Sequence, residues 1–274
     1  MPRVAQWIEV GEPADPRVDD FRDLARADRR PDRPGGRGLV IAEGVVVVER
    51  LIDSPYPVRA LLGVRRRLEE LEPSLAALDV PAYVVDAEVM ATVVGFHLNR
   101  GVLAVADRAP QVDLSALLPR ARRLAVLEGI GDHENLGALF RNAAAFDVDA
   151  VLLGAGCSDP LYRRSVRVSM GHVLRVPFTT LRSWPGDLKQ LRDAGFRVAA
   201  LTPGAHAWPL RAAGLRGRPT AVVLGSEGPG LSEEALAACD SAVRIPMSEA
   251  VDSLNVATTA AVTFHEMTDE VSEH

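Results

Sequence analysis

The sequence predicts an α/β protein in two units, and three observations carry that expectation. Short apolar runs alternate with segments whose apolar residues recur at helical spacing, first over Gly38 to Asp107 and again from Leu124 onward. In the second stretch the apolar runs are nearly continuous, the pattern of strands buried on both faces of a mainly parallel sheet. A chain of 274 residues is long enough for two ordinary domains, each with a core of its own. The expected boundaries are 1–109 for a smaller first unit, 110–122 for a linker and 123–274 for the second unit.

In the first unit GLVIA opens a strand, Val45, Val48, Leu51 and Ile52 share a helix face, and VRALLG is the next strand. Leu68, Leu71, Leu75 and Leu78 mark another helix; AYVVD, a helix over Glu88 to Val94 and the strand GVLAVAD close the unit. Ahead of it stand a polar helix near Asp19 to Ala27 and the loop RRPDRPGGRG, whose Pro and Gly predict mobility. The linker region, DLSALL included, holds one short helix. The second unit presents LAVLEGI, AVLLGA, VPFTTL, RVAALT, TAVVLGS and AVRIPM as strands, with helices over Asn135 to Phe146, Leu161 to Gly171 and Trp184 to Ala194. Sheets of this kind bind ligands at the carboxyl ends of their strands. No internal repeat is present.

Composition sets the outer limits. No run of about 18 uncharged apolar residues exists, which argues against a membrane span. The start MPRVAQWIEV lacks a basic segment followed by an apolar core, so a cytoplasmic location is expected. Cys157 and Cys239 form no CxxC or His-containing cluster, so neither a disulfide framework nor a metal site is expected, and both read as small buried residues. The formal net charge of −6 argues against a globally basic coat. Local clustering matters more. Arginine supplies 30 of the 31 basic residues, with groups at Arg22 to Arg37 (Arg29, Arg30 and Arg33 among them), at Arg65 to Arg67, and at Arg163, Arg164, Arg167 and Arg175. Arginine's planar fork suits phosphate and base contacts, although a genome rich in GC gives the same bias.

Two common site motifs fail. GAGCSD carries Asp159 where a dinucleotide fingerprint needs its third glycine, and GSEGPG has Leu224 where a nucleophile elbow needs glycine. Three other segments carry more. In ENLGALFRNAAAF, Leu136, Leu139, Phe140 and Ala143 make a buried stripe and Arg141 projects beside small residues. The plain alternative is a surface arginine on an amphipathic helix. In VVLGSEGPGLSEEAL a buried strand ends in a glycine-rich turn carrying Glu227, and Ser232 caps a helix with acids in its first turn; the alternative is a tight turn only. In RIPMSEAVDSLNVATTAAVTFHE a strand ends at Ile245-Pro246, and Ser253 is expected to cap a small-residue helix bearing Asn255.

The order and spacing of NLGALFRNA, LGSEGPGLS and IPM followed by SLNVATTAA resemble the three signature motifs of the SpoU (TrmH-type) RNA ribose methyltransferases of the SPOUT superfamily. The likeness spans residues 124–267, about half the chain, and SVRVSMGHVLRVPF is similar to the family's segment between the first two motifs. More weakly, IAEGVVVVERLI and HLNRGVLAVAD are similar to the ribosomal-protein-like substrate-binding domain that precedes many family catalytic domains.

The resemblance implies a sheet whose carboxyl-terminal part threads into a trefoil knot, a homodimer, and S-adenosylmethionine bound at the knot. It implies catalytic positions at Asn135, Arg141, Glu227, Ser253 and Asn255. Cofactor contacts are implied at Leu201, Thr202, Gly225, Glu227, Gly230, Ile245, Pro246 and Leu254. Arg163, Arg164 and Arg167, with Arg29, Arg30 and Arg33 of the variable amino-terminal arm, would grip RNA phosphates. The reaction implied is direct displacement, in which a ribose 2′-hydroxyl attacks a sulfonium methyl, so the protein must chiefly align two reactants. A guanidinium is normally a cation, which favours an orienting and electrostatic role for Arg141. Ribosomal RNA stands ahead of transfer RNA as the expected substrate. A ribosome-assembly factor of the same fold without useful catalysis, and a small-molecule methyltransferase or nucleotide-binding dehydrogenase, are the competing classes.

Overall fold

A computed structural model describes residues 5–24, 38–204, 206–248, 250–251 and 253–268. The first unit contains β1 (Gln6–Glu9), β2 (Val40–Glu43), α1 (Val45–Ile52), β3 (Val58–Gly63), α2 (Arg65–Glu70), α3 (Glu72–Leu75), β4 (Pro81–Val84), α4 (Ala87–Val94) and β5 (Val102–Ala106). Its sheet has the order β1-β4-β3-β5-β2. β1, β4 and β3 run parallel, and β5 is antiparallel to both β3 and β2. Val18, Phe21, Met90, Val93, Leu103 and Val105 meet in one core.

Three departures from the sequence expectation have local causes. β1 was not foreseen, because QWIE is a four-residue edge strand with neither alternation nor a continuous apolar run. The leucine helix is broken in two, since Pro73 lies in the first turn of α3 and cannot continue α2. In place of the polar helix near Asp19 stands a short 3-10 turn, Pro16–Phe21, capped by Asp15. The rest of that expected helix, with the Arg29, Arg30 and Arg33 arm, lies outside the described residues.

The second stretch of chain begins with α5 (Leu114–Leu117), inside the expected linker. It continues through β6 (Arg123–Leu127), α6 (His133–Ala145), β7 (Ala150–Leu153), α7 (Arg163–Val168), β8 (Phe178–Thr180), α8 (Leu188–Asp193), β9 (Arg197–Leu201), β10 (Trp208–Pro209), β11 (Thr220–Leu224), α9 (Glu233–Ala237), β12 (Ser241–Arg244) and α10 (Val256–Met267). The strands form a sheet of order β10-β12-β9-β11-β6-β7-β8 in which every pair is parallel. Side chains alternate faces along each strand. Leu124, Val126, Val198 and Val223 pack with Leu188, Leu191 and Phe196 on one face, while α6 and α10 lie together against β7 and β11. The predicted α6 stripe of Leu136, Leu139, Phe140 and Ala143 is buried.

The chain divides into two compact units with a boundary at Pro110, and Asp159–Arg175 belongs with the first unit rather than the second. Partners distant in sequence explain this. Ser165 and Val166 of α7 are fully buried, α7 packs on β2, and Arg163 bonds Glu43 at 3.0 Å while its guanidinium lies 4.7 Å from the centre of the Phe96 ring. Arg108 pairs with Asp159, and Arg50 donates to the carbonyl oxygen of Met170. The charge of Arg163 is therefore already committed, which the reading of the Arg163–Arg175 group as a free phosphate clamp did not foresee. Burial pushes its guanidinium below the usual arginine range while Glu43 opposes the shift. Removing one partner of such a pair strands the other charge. Glu43→Ala is expected to destabilise the protein by about 3 kcal/mol in urea unfolding, whereas breaking the exposed Lys189–Asp193 pair with Lys189→Ala changes it by no more than about 0.5 kcal/mol. Equal effects of the two substitutions would show that the buried pair contributes nothing special.

Candidate active site

The loops that follow β9, β11 and β12, all at the carboxyl edge of the second unit's sheet, enclose a cavity of about 470 Å³. Its volume falls in the range of small-molecule sites, about 300 to 1,000 Å³. Leu201, Thr202, Gly225, Glu227, Gly230, Ile245, Ser253 and Leu254 line it, all of them positions that the family resemblance implies. Pro246 does not line it, whereas its neighbours Ile245 and Met247 do.

The wall after β11 is a tight reversal. Gly230 N–H donates to the Ser226 carbonyl oxygen at 3.1 Å, and Ser226 and Gly230 form an isolated bridge. A Cβ on Gly225 would stand 2.4 Å from the Gly230 carbonyl carbon and 2.5 Å from the Leu231 nitrogen, so only glycine fits. Ser232 then caps α9 as expected, accepting from Ala235 N–H at 3.2 Å. Under the same edge, Gly154 of the rejected GAGCSD segment is glycine for packing, since a Cβ there would meet the Trp184 ring at 2.7 Å.

Glu227 is the centre of the polar site. Its Oε1 accepts from Asn255 Nδ2 at 2.7 Å, from Asn135 Nδ2 at 3.2 Å and from Val256 N–H at 3.4 Å. Asn255 Nδ2 also donates to Asn135 Oδ1 at 2.8 Å. Two helix starts are thereby brought to one carboxylate, a favourable place for negative charge. Asn135 is held in the first turn of α6 by Asp132, whose side chain caps that helix by accepting from Glu134 and Asn135 N–H. The motifs did not single out Asp132, although an Asp just ahead of a helix with an acid in its first turn is a standard cap signal. At α10 the expectation needs correcting: the cap is Asn255, whose Oδ1 accepts from Ala257 N–H at 2.9 Å and Thr258 N–H at 3.2 Å, and Ser253 is an exposed residue of the preceding loop. A serine and an asparagine two apart are both good caps, and the deciding factor is where the helical backbone begins.

Arg141 is not part of this cluster. It lies six residues beyond Asn135, roughly 9 Å along α6 and about a third of a turn around it. It is exposed, is absent from the cavity wall, and has no side-chain hydrogen bond or ion pair among the described residues. Its neighbour Asn142 ties α6 to α10 by donating to the Ala257 carbonyl oxygen at 2.7 Å. A further group that the motifs missed is Glu128 at the end of β6. Its carboxylate accepts from Ser232 N–H at 2.9 Å and Ser232 Oγ at 2.7 Å, and from Trp184 Nε1. Nothing local in LEGIG distinguishes it from a surface acid.

Among the described residues no His, Cys, Asp and Glu group could hold a metal ion, and no helix is long and apolar enough to cross a membrane. Cys157 and Cys239 are half-buried rather than fully buried; desolvation raises both thiols, Cys239 to about 12.

Residues 122–265 match the SpoU rRNA Methylase family. The chain belongs to that family. An uncharacterized tRNA/rRNA methyltransferase of Mycobacterium tuberculosis is 54% identical over 262 residues, covering 95% of this chain and 91% of that protein. The fold is shared with an AdoMet-bound rRNA methyltransferase from Sinorhizobium meliloti, at a TM-score of 0.80 and 24% identity over 96% of this chain and 97% of that one. A crystal structure of an RNA 2′-O ribose methyltransferase aligns with a TM-score of 0.75 and 28% identity, covering 94% of this SpoU chain and 97% of that chain.

Proposed function

We propose that this SpoU methylase transfers a methyl group to a ribose 2′-hydroxyl of RNA, with ribosomal RNA ahead of transfer RNA as substrate. The observation that carries the proposal is the Asn135–Glu227–Asn255 cluster standing at the rim of the Gly225 cavity. The cavity fits the cofactor. Its loops offer backbone donors and acceptors, Leu201, Leu224, Ile245 and Leu254 offer apolar walls for a base, and the absence of a Cβ at Gly225 opens the close approach. Thr202, Gly230, Ile245 and Leu254 would hold the adenosine part. When bound, S-adenosylmethionine supplies an electrophilic sulfonium methyl.

The residues of the chain then have distinct tasks. Glu227 fixes the two asparagines beside the cavity that it lines. Ser253, on the exposed loop, completes the hydrogen-bonding shell. Arg141 offers a cation to the ribose and its neighbouring phosphate, meeting the RNA from outside the cavity of its own chain. The proton of the attacking hydroxyl leaves through that phosphate or through water. Arg164 and Arg167 grip RNA phosphates, a task in which the Glu43-bound Arg163 has the weakest part. We further propose a homodimer, a cytoplasmic location and a trefoil knot. The knot is favoured by the order β12-β9-β11-β6, in which the chain passes outside β9 and then returns to α10 against α6.

One measurement on the protein and one on a strain that lacks it test this reading. Calorimetric titration should show binding of S-adenosylmethionine and none of NAD, and mapping of 2′-O-methyl sites in RNA from a deletion strain should show one site lost. Arg141→Ala is expected to leave cofactor affinity unchanged and to lower kcat by about 10²-fold, the size of losing one well-placed electrostatic group. Near-normal turnover by that variant would remove Arg141 from the reaction, and binding of NAD alone would overturn the methyltransferase assignment.

A further inference from the structure

Glu128 touches both ends of the loop that walls the cavity. The loop, residues 225–231, leaves β11 at Leu224 and ends at Ser232, the cap of α9. At its start, Glu128 N–H donates to the Leu224 carbonyl oxygen at 2.9 Å, extending the β6–β11 ladder by one bond. At its end, the Glu128 carboxylate takes Ser232 N–H on Oε2 and Ser232 Oγ on Oε1. Trp184 Nε1 donates to the same Oε1, and its ring seats on Gly154. One half-buried acid therefore has every hydrogen bond made by its carboxylate committed to donors, and two of the three come from the residue where the loop ends.

We propose that Glu128 is a positioning residue that clamps the 225–231 loop at both ends and thereby sets the place of Glu227 and of the loop backbone against the cofactor. The inference rests on the methylase reading for its consequence but not for its geometry. A carboxylate accepting charge-assisted bonds from a backbone N–H and a hydroxyl holds more firmly than neutral partners would. Glutamine keeps the shape of Glu128 but not the function. Whichever way its amide is turned, an NH₂ group faces a group that can only donate, either Ser232 N–H or Trp184 Nε1–H, whereas the Ser232 hydroxyl can turn to accept. The loop end is then held by fewer and weaker bonds, while the Leu224 bond, made by backbone, survives.

The test compares wild type, Glu128→Gln and Ser232→Ala as full-length proteins by hydrogen exchange without ligand and by titration with S-adenosylmethionine. In Glu128→Gln the amides of 225–232 are expected to exchange at least about tenfold faster, while those of α8 keep their wild-type rates. The cofactor Kd rises about tenfold and KM for RNA stays within about twofold. Ser232→Ala, which keeps the backbone bond to Glu128, gives a smaller change in the same direction and serves if the glutamine variant does not fold. Unchanged exchange in the loop of folded Glu128→Gln, or a loss of protection spread evenly over the whole unit, overturns the clamp. Because the exchange measurement needs no ligand, failure of the clamp is distinct from failure of the methylase reading, which shows as wild-type protein that does not bind the cofactor at all.

Discussion

Gly225→Ala is expected to weaken S-adenosylmethionine binding by about a hundredfold or more while the protein stays folded. The new Cβ would lie 2.4 Å from one backbone atom and 2.5 Å from another, distances at which something must move. The neighbours are main chain of Gly230 and Leu231, so no side chain can swing aside. The reversal held by the Gly230 to Ser226 bond must open, and with it the cavity wall that carries Glu227. A hundredfold is about 2.7 kcal/mol, an ordinary sum for a few lost polar contacts and a shifted loop. The global fold survives because residues 225–230 add nothing to the apolar core and only Leu231, at the loop's end, packs on it. Titration calorimetry with circular dichroism checks the prediction, and Gly11→Ala, where a Cβ meets nothing within 4 Å, is the matched control. Binding within about threefold of wild type would mean that the glycine reversal does not shape the cofactor site.

What the sequence made legible, and what it did not, follows the range of the interactions. The α6 stripe of Leu136, Leu139, Phe140 and Ala143 and the apolar strands β6, β9 and β11 were readable because burial repeats at a period the chain itself carries. Gly225, Glu227 and Leu254 were readable because a glycine-rich turn after a buried strand is a local statement, and the family resemblance joined the three segments. The misses depend on partners far away in the chain. Glu43 and Arg163 are 120 residues apart and Glu128 and Ser232 are 104 apart, and no periodicity connects them. The β1 strand is recruited by pairing with β4 rather than by its own composition. At Asn255 the error was one of register: two cap-forming residues stood two positions apart, and the backbone, fixed by α10 packing on α6, chose between them.

Replacing Glu227 separates a structural hub from a chemical participant. Glu227→Ala leaves Asn135 Nδ2, Asn255 Nδ2 and Val256 N–H without the oxygen that gathers them, so the two amides lose their common orientation. Misplacing aligned groups by about an ångström costs about 10²-fold, and kcat is expected to fall by that amount or more, with a smaller rise in cofactor Kd. Glu227→Gln is the informative companion. A single oxygen, Oε1, accepts all three bonds, and an amide oxygen can occupy the same point, although without the charge that strengthens them. If the task of Glu227 is to hold Asn135 and Asn255, glutamine keeps turnover within about tenfold of wild type and clearly above alanine, a loss consistent with weaker bonds to the same donors. If instead the carboxylate takes the proton of the attacking hydroxyl, glutamine is as inactive as alanine. Single-turnover rates for the two variants, measured at saturating cofactor, decide between these outcomes, and only the graded one agrees with a carboxylate whose bonded oxygen is already shared among three donors.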